Sequence, residues 1–311
     1  MWNPLAFATY AERYPNTPAL PPVAESLGAA FSAAWASPSL DADVVAATRG
    51  LHVVFLRGFL GNWMPGNLVA PTRALRALGV STTLAATDTG ATVEANVARL
   101  ARSLPRSLPT EGPLLLCGHS KGGLECLHLA DTVAAVGARV VGVLMSQTPR
   151  GPSAVLESLL LRAHAESLAR PHRRAAEALQ RAGLHLVGAT SGGRQLTAGP
   201  LATLLATIDR PRPFPVWQTA SWSSQPTAWL DSFHERLGEI RPGCAHDGQF
   251  YLEDLVWPGL PHLLLPHLDH AQPAMGGFGF DHVRYWKVLI TLFAATCVAA
   301  ACGGAATESR G

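Results

Sequence analysis

Short runs of apolar residues alternate with amphipathic stretches from about residue 50 onward, and this rhythm is the strongest signal in the chain. LHVVFL (51–56) and ARVVGVLMS (138–146), with paired valines, and the shorter apolar run PLLLCG (113–118) each predict a buried strand. VSTTLAAT (80–87) and FPVWQTASW (214–222) extend the set. Between them, TRALRALG (72–79) predicts a helix stopped by Gly79. TVEANVARLARSL (92–104) places Val93, Val97, Leu100 and Leu104 at helical spacing behind a Thr92 cap, and 121–136 predicts a further helix. Almost wholly apolar strands alternating with helices imply a parallel sheet covered on both faces, an α/β fold.

The rhythm breaks between Gln147 and Arg212. SAVLESLLLRAHAESLAR reads as one helix with Val155, Leu156, Leu159, Leu160 and Ala163 on one face and Arg162, Glu166 and Arg170 on another. SGGRQLTAGP (191–200) reads as a loop. Three units result. Residues 1–48 form a helical extension docked through Trp2, Phe7, Tyr10, Phe31 and Trp35. Residues 49–147 and 213–311 form the core, and 148–212 a helical insertion over it.

Composition narrows the field. The 311 residues are 48% hydrophobic and 15% charged, against a usual charged share of about 25%. A formal charge of +2, scattered apart from Arg170, Arg173 and Arg174, gives no footprint for nucleic acid. Five cysteines without a C-x-x-C pair fit reduced thiols in the cytoplasm. The first residues lack a basic stretch ahead of their apolar ones and carry Pro4 early, unlike a secretion signal. The apolar run 288–302 is short for a bilayer span and rich in alanine, so a buried last helix is favoured over a membrane anchor. The sequence points to no oligomeric state and no cofactor.

The chemistry sits at 116–126, LCGHSKGGLEC, where Gly118-His119-Ser120-Lys121-Gly122 fits G-x-S-x-G between an expected strand and an expected helix. There the motif means a strained turn that lifts the serine hydroxyl above the sheet. The competing reading is a small-residue turn with an idle serine. A serine hydroxyl needs a base, and the base an acid, in the chain order Ser, Asp or Glu, His. Asp247, before a glycine in HDGQF, and His270, in LDHAQPAM, satisfy that order. Glu253, Asp254 and Asp269 are rival acids, and His262 and His267 rival bases. A zinc site built on His262, His267, Asp269 and His270 is disfavoured by Pro261 and Pro266, which prevent a regular helix that would align the histidines. Two backbone amides, of Phe59 in RGFLGNW and of Lys121, are the expected oxyanion donors.

Taken together, RGFLGNW, GHSKGG, HDGQF and LDHAQPAM resemble the α/β-hydrolase superfamily, and within it the bacterial lipase and esterase group. Arg57 departs from that group's usual histidine, and His246 from its usual asparagine. The resemblance implies a Ser120–Asp247–His270 triad, an acyl-enzyme intermediate, a lid formed by 148–212, and a small-molecule acyl ester as substrate. Thioesterase, polyester depolymerase and acyltransferase chemistry share that site, and a catalytically silent binding protein shares the fold.

Overall fold

The computed structural model describes residues 10–24, 26–163, 171–223 and 231–308. Six strands form one parallel sheet in the order β2-β1-β3-β4-β5-β6. After the short helices α1 (Tyr10–Arg13), α2 (Gly28–Ala36) and α3 (Leu40–Ala47) come β1 (His52–Leu56), α4 (Val69–Ala77), β2 (Thr82–Leu84), α5 (Val93–Ser103) and β3 (Leu114–His119). They are followed by α6 (Lys121–Thr132), α7 (Ala134–Gly137) and β4 (Val140–Ser146). Between β4 and β5 (Val216–Trp222) the described residues form α8 (Ala154–Leu161), α9 (Pro171–Leu186), α10 (Thr190–Gln195) and α11 (Ala198–Ile208). The chain continues through α12 (Asp231–Ile240), β6 (His262–Pro266), α13 (Gln272–Met275) and α14 (His282–Glu308).

The period-2 alternation of the strands sorts their side chains into two apolar layers. Val53, Phe55, Leu115 and Cys117 face one way, onto Phe31 of α2, Val44 of α3, Leu75 of α4 and Leu289 of α14. Val54, Leu56, Leu114 and Leu116 face the other, onto Val97 of α5, Leu127 of α6 and Leu204 of α11. Both faces are covered, which is why the strands lack the polar alternation of half-exposed ones.

The last helix is sunk into the first layer. Val288, Leu289, Ile290, Phe293, Ala294 and Cys297 are buried there. Among the described residues no helix is long and apolar enough to cross a membrane. Phe31 is fully buried and Trp35 stacks on Phe280, holding the segment before β1 to the body. Trp2, Phe7 and the side chain of Tyr10 lie outside the described residues, as do Glu166, Arg170 and the side chains of Arg173, Arg174 and Cys302.

Three expectations change. The helix from Ser153 stops at Leu161, because Arg162 turns into the left-handed region (φ 56°) and its amide caps the Glu157 carbonyl. The stretch 191–200 is not a loop but most of α10 and the start of α11. Gly192 and Gly193 are helical because they pack where no side chain fits. A Cβ on Gly192 would meet the carbonyls of Gly90 and Ala91 at 2.5 and 2.6 Å, so tertiary contact overrides poor helix propensity. The helix after Ser120 ends at Thr132, where Thr132 Oγ1 bonds back to the His128 carbonyl and Val133 leaves helical geometry.

Candidate active site

Ser120, Asp247, His270 and the segment around Phe59 gather at the carboxyl ends of the strands. Ser120 follows β3 directly and holds φ 55° and ψ −128°, a costly conformation for a residue with a side chain. The turn survives because its neighbours are glycines. A Cβ on Gly118 would collide with the backbone of Gly122, and one on Gly122 with the carbonyl of Leu56. The Ser120 amide is anchored to the Ser146 carbonyl at 2.8 Å, which ties the turn to the end of β4.

His270 arrives from the loop after β6. Its Nε2 lies 2.8 Å from Ser120 Oγ and its Nδ1 2.6 Å from Asp247 Oδ2. Asp247 is fully buried, and its other oxygen accepts the amides of Gln249 and Phe250, both at 2.9 Å. Gly248, at φ 91°, permits that turn. The His270 amide donates to the Asp247 carbonyl at 2.8 Å, so the two loops are joined by backbone as well as side chain.

The rival groups have other employment. Asp269 Oδ1 accepts the amides of Ala271 and Gln272, both at 2.8 Å, which shapes the loop carrying His270. Glu253 pairs with Arg241. Asp254 is pushed up to about 7 by burial and by the neighbouring Glu253. The His267 ring stands 5.2 Å from that of Trp222, and His262 sits in register with Gln218 at the start of β6. Among the described residues no group of three His, Cys, Asp or Glu is arranged to hold a metal ion.

The segment after β1 reaches the same spot. A Cβ on Gly58 would meet Ser120 Cβ at 2.8 Å, so the backbone after β1 lies directly against the serine. Among the described residues the amides of Phe59 and Lys121 donate to no backbone carbonyl. Asn62 fixes the segment, with its amide on Thr89 Oγ1 (3.1 Å) and its Nδ2 on the Thr87 carbonyl (2.5 Å). Arg57 donates from Nε to the Asn67 carbonyl at 3.1 Å, a bracing role within the loop.

One cluster escaped the sequence reading. The Lys121 side chain is completely buried, with Nζ 2.5 Å from Glu125 Oε1 and 2.9 Å from the Ala91 carbonyl. Asn96 donates to the same Glu125 oxygen at 2.6 Å and to the Asp88 carbonyl at 2.8 Å. Burial raises the Glu125 carboxyl against the pull of the Lys121 ammonium. A lysine and a glutamate four apart on a helix ordinarily mark a solvated pair. The glycines around Lys121 were the available sign that this turn is packed too tightly for water.

His119, beside the serine, is held neutral. Burial first, and then the nearby His270, lower it to about 3. Its Nε2 lies 2.8 Å from the His270 carbonyl, so that nitrogen carries the proton and donates. A cavity of about 340 Å³ opens over Ser120 and His270. Its walls come from Phe59, Leu60, Trp63 and Met64, from Val155, Leu156 and Leu159 of α8, and from α9, Phe233 and Phe250.

No protein-family model matches the chain, and no curated protein sequence does. Solved structures do resemble it. A metagenomic carboxyl esterase superposes with a TM-score of 0.56 over 84% of this chain and 77% of its own, at 17% identity. Lipase 1 from Pelosinus fermentans gives 0.59 over 79% and 98%, at 12% identity. The Staphylococcus hyicus lipase gives 0.56 over 82% and 97%, at 10% identity. The chain has the α/β-hydrolase fold that these bacterial lipases and esterases share.

Proposed function

We propose that this protein is a serine hydrolase of carboxylic esters with lipid-like or acyl chains, using Ser120, His270 and Asp247. The observation that carries the proposal is the continuous line of short contacts from buried Asp247 through His270 to Ser120 Oγ, ending at an apolar cavity.

In the first half-reaction His270 Nε2 takes the Ser120 proton as Oγ bonds to the ester carbonyl carbon. The carbonyl oxygen becomes an oxyanion, held by the amides of Phe59 and Lys121. The oxyanion re-forms the carbonyl, the C–O bond to the alcohol breaks, and His270 passes its proton to the departing oxygen. In the second half-reaction water gives a proton to His270 and its oxygen to the acyl carbon, and Ser120 leaves with the proton returned. Asp247 keeps Nδ1 protonated and steadies the imidazolium.

Residues 148–212 act in this proposal as a lid on a core of 49–147 and 213–311, with 1–48 as an extension. The contribution of α8 and α9 to the cavity wall supports that division. The four described cysteines, Cys117, Cys126, Cys244 and Cys297, are free and buried, which supports a reducing compartment, the cytoplasm.

Hydrolysis of p-nitrophenyl esters from acetate to palmitate tests the proposal. Cleavage that favours medium or long chains and vanishes in Ser120→Ala is the expected result. Thioester cleavage in the same assay, with no ester cleavage, or equal activity in Ser120→Ala, refutes it.

A further inference from the structure

The wall of the cavity above Ser120 is almost entirely apolar, so each polar side chain on it matters. Among the described residues, and leaving aside the indole of Trp63, they are Ser120, His270, Gln249 and Gln180. The first two are bonded to each other. Gln249 is committed to the start of α8, its Nε2 donating to Ser153 Oγ at 2.7 Å. Gln180 differs. Its Oε1 is buried, and among the described residues nothing donates to it.

Its neighbours on α9 make the contrast sharper. One turn earlier, Glu177 Oε1 accepts from Ser158 Oγ at 3.1 Å and from Arg236 at 2.9 Å. One residue later, Arg181 Nε donates to the Leu159 carbonyl at 2.7 Å. Glu177 and Arg181 are thus satisfied toward α8 and α12, while Gln180, a residue of the cavity wall, keeps an unserved acceptor just beneath it. A buried acceptor without a donor carries a desolvation cost that a bound donor removes. An apolar pocket alone would be better lined there by leucine or methionine. Pockets of this kind use a few placed polar groups to fix a ligand's orientation.

We infer that Gln180 recognises a hydroxyl group on the substrate's chain, so that the preferred substrates are acyl esters hydroxylated some carbons from the scissile bond. The inference rests on the ester-hydrolase reading and refines it. The chain's methylenes occupy the apolar wall, and the Gln180 carboxamide turns about its soft last torsion to accept the hydroxyl's hydrogen bond at Oε1. A hydroxyl of this kind belongs either to a hydroxyacyl group or to the far end of a diol alcohol.

Two substrate series separate these sources. One compares p-nitrophenyl decanoate with its positional hydroxydecanoate isomers. The other compares decanoate esters of straight-chain alcohols with monoesters of the matching diols. Each is run on the wild-type enzyme, Gln180→Met and Ser120→Ala. One neutral hydrogen bond changes kcat/KM by about 3- to 10-fold. The expected result is a preference of that size for at least one hydroxylated isomer, in one series. Gln180→Met, similar in volume, should abolish it, read as the ratio of kcat/KM for the hydroxylated and unsubstituted esters within the same variant. Ser120-dependent cleavage with no hydroxyl preference overturns this inference alone, as does a preference that survives in Gln180→Met. Absence of any Ser120-dependent cleavage overturns the hydrolase reading, and this inference with it.

Discussion

Two buried polar assemblies flank Ser120, and they differ in one respect that assigns their work. On one side Asp247 and His270 form a chain that ends in the cavity, with His270 the last group before solvent. On the other, Lys121, Glu125 and Asn96 close on themselves and on the carbonyls of Ala91 and Asp88, sealed from water. The first has an outlet for a proton and the second has none. An open relay suits chemistry. A closed one suits holding a backbone amide, that of Lys121, in the place where the proposed reaction would form an oxyanion.

Exchanging one member of each assembly should separate the roles. Asp247→Asn keeps an oxygen for the amides of Gln249 and Phe250 but leaves the imidazole in the wrong tautomer. It should lower kcat by about 10⁴ with the denaturation midpoint little changed. A loss below tenfold would remove Asp247 from the relay. Glu125→Ala strands the Lys121 ammonium in the interior and should cost about 3–5 kcal/mol of stability by chemical denaturation. The double variant Lys121→Met with Glu125→Leu removes both charges, and most of that stability should return with activity retained, because the proposed mechanism uses only the amide of Lys121. A double variant that folds well but is inactive would show that the ion pair takes part in the chemistry.

Acid sharpens the contrast further, by a smaller effect. Folded His119 stays neutral down to about 3, whereas a free imidazole takes up its proton near 6.5. Unfolding therefore binds a proton on that interval. The stability owed to neutral His119 is full above 6.5 and is lost as the pH falls toward 3. Tm measured from pH 7 to pH 4 should fall less steeply in His119→Gln. His246, lowered to about 4 by burial and by His234, leaves a residual slope. Parallel curves for the two proteins would contradict the assignment.

The open assembly was legible in the sequence and the closed one was not. Strands buried on both faces announce themselves as unbroken apolar runs, and the glycines at 118 and 122 mark the turn at Ser120 whatever surrounds it. Asp247 and His270 each lie in a loop with its own local signature, and Thr92 caps α5 as its position suggests, accepting from Ala95 at 3.3 Å. The Lys121–Glu125 pair has no such signature, because its burial is decided by α5 and by the Ala91 carbonyl, remote in sequence. The same holds for the helical Gly192 and Gly193, which depend on the backbone at Gly90 and on Leu160 and Phe59. What local pattern encodes could be read. What two distant segments encode by touching could not.

The central claim is that His270 makes the Ser120 hydroxyl nucleophilic. Intact-mass measurement with peptide mapping after exposure to a fluorophosphonate tests it directly. The account predicts one adduct per chain, on Ser120, absent in Ser120→Ala and formed orders of magnitude more slowly in His270→Ala. An adduct at another residue, or labelling of Ser120 at the wild-type rate without His270, would contradict it.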